Sequence, residues 1–161
     1  MSALAGRREL MPGLPKILFL AEAVTLAHIA RPLSLAGQLD REHYQVYFAS
    51  DDGYDSFVSG EDLFKIRIHS RSKDEFLDVL DRGAPLFEAD LLRRYVADEI
   101  PLLQELQPDL VIGDLRPSLA VSARLVGIPY VNLTNAYWSP FASFRKIPFP
   151  CLRAMRNLPL R

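Results

Sequence analysis

The chain has 161 residues, the size of one domain rather than two. With 49% apolar and 24% charged residues, it is neither disordered nor a fibrous repeat. A net charge of −1 gives no global argument for nucleic acid, and the single Cys151 permits neither an internal disulfide nor a cysteine-based zinc cluster.

Residues 1–15 hold two prolines, two glycines and two arginines without periodicity, and read as a flexible leader. Lys16–Ala21 is a continuous apolar run, the pattern of a strand buried on both faces of a parallel sheet. Glu22 stops that run far short of the roughly 20 apolar residues a membrane span needs, so the chain reads as cytoplasmic. A helix is expected over 32–39, with Pro32 in its first turn. Residues 44–49 read as a second strand, and Ser50, Asp51, Asp52 and Gly53 as the turn that breaks it. Residues 64–68 alternate apolar and basic side chains, as a strand near the sheet edge does. Helices are expected over 73–81 and 86–107, with Pro101 kinking the second or starting another. A buried strand over 108–114 ends on Asp114. A helix over 118–126 closes on Gly127, and 129–134 forms the fifth strand. Residues 16–140 thus read as one domain and 141–161 as a basic, aromatic, proline-rich tail or linker.

Charge is divided along this order. All 20 acidic residues lie at or before Asp114, and seven cations follow it. That cationic end, with Trp138, Phe141, Phe144 and Phe149 among the basic residues, suits phosphate, an anionic membrane surface or an acidic partner domain. The plain alternative is a solvated tail with its aromatics packed home.

Strands alternating with helices call for an α/β fold: a Rossmann-like, mostly parallel, doubly wound sheet with helices on both faces. Its usual order puts the first strand beside the fourth, and ligands bind beyond the carboxyl ends where the order reverses. Glu22 to His28, Asp114 to Arg116, and Thr134 with Asn135 all fall at that end. His28, near a helix N-terminus, suits a neutral proton-accepting imidazole. Asp114 suits a carboxylate that fixes its tautomer. The alternative is that each merely caps a helix. Glu22 either contacts a ligand or satisfies loop N–H groups, and Arg116 is a candidate partner for Asp114. His43 and His69 read as turn and strand-end residues, with no metal site indicated.

Thr25-Leu-Ala-His28-Ile-Ala-Arg-Pro32 after the first strand, Pro108-Asp-Leu-Val-Ile-Gly-Asp114, and Val126-Gly-Ile-Pro-Tyr-Val131 together resemble the acceptor-binding, N-terminal domain of GT-B glycosyltransferases. The likeness is to the inverting, nucleotide-sugar-dependent enzymes that modify macrolides, sterols, lipids and plant phenolics. It implies that His28 takes the proton of an acceptor hydroxyl and that Asp114 holds His28. It also places Glu22, Thr134, Asn135, Trp138, Ser139 and Phe141 among the acceptor-lining residues. The implied acceptor is a moderately apolar alcohol.

The sequence departs from the family pattern in two places. The loop before His28 has no glycine, and the proline that commonly follows the histidine by three positions follows here by four, as Pro32. No glycine-rich phosphate cradle occurs, so this domain is expected to bind no cofactor alone. A UDP- or dTDP-sugar donor is implied through a second domain or subunit, the chain being truncated or split and inactive by itself. A different class also fits: a non-catalytic binding or partner domain presenting its cationic end to another subunit. A nucleotide-dependent oxidoreductase is disfavoured by the missing glycine fingerprint. A peripheral membrane contact is compatible with the basic end.

Overall fold

The computed structural model describes residues 13–58 and 63–135. The tail over 141–161, Trp138, Ser139, Phe141 and most of the leader lie outside the described residues.

Five parallel strands form one sheet: β1 Lys16–Ala21, β2 Gln45–Ser50, β3 Phe64–Arg67, β4 Leu110–Asp114 and β5 Tyr130–Leu133. Their order is β3-β2-β1-β4-β5, so the order reverses between β1 and β4, as expected. The β1–β4 register sets Ala21 opposite Asp114. The helices are α1 Leu26–Gln38, α2 Asp55–Val58, α3 Lys73–Asp81, α4 Ala89–Leu106 and α5 Leu119–Val126.

Alternation along the buried strands splits the core in two. Leu18, Leu20, Tyr47, Ala49 and Val111 meet Leu103 and Leu106 of α4 and Leu119 and Ala123 of α5 on one face. Ile17, Phe19, Val46 and Phe48 meet Ile29 and Ala36 of α1 and Val58 of α2 on the other. This is the doubly wound α/β sandwich that the element order calls for.

Two helices carry an interior proline, and α1 departs from expectation at its own. α1 starts six residues before Pro32, which lies buried inside it rather than in its first turn. α4 runs through Pro101 as one helix. An interior proline removes one backbone bond and costs about 3 kcal/mol. Burial of an amphipathic face outweighs that cost in helices packed on a sheet. The residues after β2 form a 3-10 turn, Asp52–Tyr54, leading into α2, where a simple turn was expected.

Buried charge locks α4 and α5 over the end of β1. Arg116 is fully buried, and its Nη1 donates to Glu22 Oε2 at 2.7 Å. Its Nε donates to Glu99 Oε1 at 2.8 Å, and its guanidinium lies 3.6 Å above the Tyr95 ring. Ser118 and Ser122 donate to Glu99, and the Tyr95 hydroxyl donates to Glu22. Burial, reinforced by the Glu22 charge, pushes the Tyr95 phenol far above its ordinary value. Glu99 holds the place in the buried stripe of α4, between Tyr95 and Leu103, that an apolar residue would take.

Gly113 lets β4 approach its cover. A Cβ there would stand 2.7 Å from Leu119 Cδ1 and 3.2 Å from the Tyr130 ring. Gly113→Val is expected to cost about 1–3 kcal/mol by overpacking, read as a lower urea midpoint; an unchanged midpoint contradicts the close approach. Arg116→Met leaves two buried carboxylates without their cation and is expected to cost about 3–5 kcal/mol in the same measurement. Arg82→Met, which breaks an exposed pair with Asp78, leaves the midpoint nearly unmoved.

Candidate active site

His28 is the third residue of α1, and its backbone N–H donates to the Thr25 carbonyl at 3.2 Å. α1 packs on β1, β2 and β4, which sets its first turn beside the end of β4. There His28 Nδ1 lies 2.8 Å from Asp114 Oδ1. The two residues are 86 positions apart, and the order reversal in the sheet brings them together. The Asp114 side chain has no solvent exposure, whereas that of His28 is 17% exposed. A carboxylate on Nδ1 accepts the proton there, which leaves the Nε2 lone pair as the basic position of a neutral ring.

Arg31 completes the cluster, and the sequence reading did not find it. Its Nε donates to Asp114 Oδ2 at 2.6 Å and its Nη2 to Oδ1 at 2.7 Å, a two-pronged grip on the carboxylate. Nη2 also stands 3.3 Å from His28 Nδ1, and Nη1 donates to Asn135 Oδ1 at 2.9 Å. Hydrogen bonding to Asp114 raises the Arg31 pKa above its ordinary value despite partial burial. The available signal was its spacing: three residues beyond His28, it falls on the same helical face.

One expectation is corrected: Arg116 does not pair with Asp114. Leu115, at a left-handed φ of 52°, turns the chain between them, and Arg116 enters the Glu22–Glu99 cluster instead. Glu22 is 1% exposed. Its carboxylate accepts from Arg116, from the Tyr95 hydroxyl and from the Arg71 backbone N–H at 3.0 Å, so it satisfies a loop donor and a buried cation. Thr134 is exposed beyond β5, and Asn135 reaches the cluster through Arg31. Trp138, Ser139 and Phe141 lie outside the described residues.

Concavity alone does not locate this site. A cavity of about 530 Å³ lies between the end of β3 and α4, lined by Asp51, Arg67, His69, Asp98 and Pro101, and His28 is not part of it. Hydrogen-bond geometry marks the His28 cluster instead. The β1–α1 turn offers no phosphate cradle: Glu22, Ala23 and Val24 are buried and no glycine is present. Among the described residues no group of three His, Cys, Asp or Glu side chains is arranged to hold a metal. Among them, too, no helix is long and apolar enough to cross a membrane.

No protein-family model matches the chain. It is 44% identical over 153 residues to a PGL/p-HBAD biosynthesis rhamnosyltransferase of Mycobacterium bovis, covering 92% of this chain and 34% of that one. It is 43% identical over 135 residues to a PGL/p-HBAD biosynthesis glycosyltransferase of Mycobacterium tuberculosis, covering 84% of this chain and 31% of that one. An M. bovis relative at the same identity is named inactive. The chain spans about a third of the length of these relatives. Among solved structures, the Streptomyces sp. SF2575 glycosyltransferase SsfS6 superposes with a TM-score of 0.54 at 21% identity, over 73% of this chain and 38% of its own. The glycotransferase of kitacinnamycin gives 0.56 at 18% identity, over 75% and 30%. By sequence the chain is thus similar to part of these mycobacterial glycosyltransferases, and by fold it is one Rossmann-like domain of the kind found in GT-B glycosyltransferases.

Proposed function

We propose that this domain binds the hydroxyl acceptor of a sugar transfer and that His28 is the general base, oriented by Asp114. The observation that carries the reading is the 2.8 Å contact between His28 Nδ1 and a fully buried carboxylate, at the carboxyl end of a sheet whose strand order reverses there. In this reading Nε2 takes the hydroxyl proton as the oxygen attacks the anomeric carbon, with inversion. Asp114 holds the ring in the tautomer that leaves Nε2 free and stabilises the imidazolium that forms.

The acceptor in this reading is a moderately apolar alcohol, in keeping with relatives named for PGL/p-HBAD biosynthesis. The donor is a nucleotide sugar held by a second domain or subunit. Two structures of the same fold carry UDP-2fluoro-glucose with pterostilbene, and DTDP. The glycine-free β1–α1 turn supports assigning the donor elsewhere. Thr134, Asn135, Trp138, Ser139 and Phe141 are proposed to line the acceptor side. The basic, aromatic tail is proposed as the lid or the link to the donor domain.

A non-catalytic reading draws on one observation, the relative that is named inactive. One assay separates the two. Assembled with the donor-binding domain of a relative, the native chain is expected to support transfer. His28→Ala is expected to lower kcat by about 10²–10⁴-fold, the usual worth of a positioned base. Asp114→Asn is expected to lower it less, leaving the imidazole in place but wrongly held. Undiminished transfer by the His28→Ala assembly removes the base, and no transfer by a correctly folded native assembly favours the binding role.

A further inference from the structure

We propose that Arg31 is a positioning residue of this site: it clamps both oxygens of Asp114, so that the carboxylate orients the His28 imidazole without drawing a proton onto it. The inference rests on the reading of His28 as the base, and its test is separable from that reading.

Asp114 is wholly buried, and a buried carboxylate requires a cation or several donors beside it. Two side chains supply them, both from the first turns of α1. The bonds at 2.6 and 2.7 Å from Arg31 set the plane of the carboxylate, and the imidazole meets Oδ1 at 2.8 Å. Oδ1 is therefore shared between the ring and the guanidinium. The shared oxygen is what makes Arg31 more than a brace. With the guanidinium present, the carboxylate is neutralised whether or not the ring carries a proton. With it removed, the imidazole is the one side-chain partner left among the described residues, and the buried charge recruits a proton to it. A base already protonated cannot accept the acceptor's proton.

Other charges do not perform this task. Glu22, at the end of β1, is committed to Arg116 on the opposite face of the sheet. Asp51 and Asp52, after β2, face Arg67, and Asp55 of α2 pairs with Lys65. Among the described residues, the charged groups beside the His28 ring are Asp114, which accepts from Nδ1, and Arg31, whose Nη2 stands 3.3 Å from Nδ1. The third donor of Arg31 ties the cluster to Asn135 beyond β5 at 2.9 Å, so the clamp spans α1, β4 and the segment after β5.

The test follows the ring signals of His28 by nitrogen-15 NMR across pH in the full chain, with His28→Gln identifying the signals. Arg31→Ala is expected to move the titration midpoint of the ring upward by about one pH unit relative to the native chain. Arg31→Lys supplies a point charge without the fork and is expected to move it by less. Circular dichroism checks that each variant is folded. A folded Arg31→Ala chain with an unmoved midpoint overturns the proposal, since a brace alone would lower only the melting temperature. Should that variant not fold, Arg31→Lys carries the decision by the same criterion. If the midpoint moves as expected while His28→Ala retains transfer, the clamp stands and the base reading falls.

Discussion

A carboxylate without access to water dictates what surrounds it. Asp114 terminates β4 with its side chain turned toward α1, and the first turns of α1 are arranged to answer it. The helix begins at Leu26, early enough that His28 and Arg31 fall on one face a turn apart. A start near Pro32 would leave both in an irregular loop. Pro32 then follows inside the helix, where its missing N–H leaves the His28 carbonyl without the usual i+4 donor. Pro32 is buried in the same helix as Ile29 and Ala36, and that packing keeps the turn intact.

Leu115 divides the end of β4 between two charge clusters. Its left-handed backbone lets consecutive polar residues serve opposite faces of the sheet. Asp114 joins α1, and Arg116 joins α4 and the turn after β1. The Arg116 cluster is buried: Glu22 and Glu99 accept from Arg116, Tyr95 and two serines, the side chains are almost wholly inaccessible, and Arg116 Nη2 is left as an unpaired donor. The Asp114 cluster is open, since its carboxylate is buried while the imidazole and guanidinium retain contact with water. Buried networks of this sort fix geometry, and a partly exposed one can meet a ligand.

Much of this was legible in the sequence because it depends on period and topology. Continuous apolar runs marked β1 and β4, and the order-reversal rule placed their ends together, which joined His28 to Asp114 across 86 positions. The expected helix over 73–81 matches α3 residue for residue, with Ser72 and Glu75 forming a capping box. Single residues whose role depends on packing were not legible. Pro32 was expected in a first turn and Pro101 at a kink or a new helix start; both sit inside single helices that burial sustains. Glu99 interrupts an apolar stripe, and only the buried Arg116 explains it. Arg116 was assigned to Asp114 by proximity in sequence, and a positive φ at Leu115 sends it elsewhere. Such choices are made by neighbours distant in sequence, which no local pattern records.

The presence of Arg31 beside Asp114 has a physical consequence in charge. A bare imidazole–carboxylate pair is anionic with a neutral ring and becomes neutral on taking a proton, so burial favours the protonated pair. With Arg31 added, the cluster is neutral with a neutral ring and becomes cationic on protonation. The same fork fixes the plane of the carboxylate, which a single imidazole contact cannot do. Charge balance and orientation therefore come from one side chain, and its link to Asn135 ties both to the chain emerging from β5.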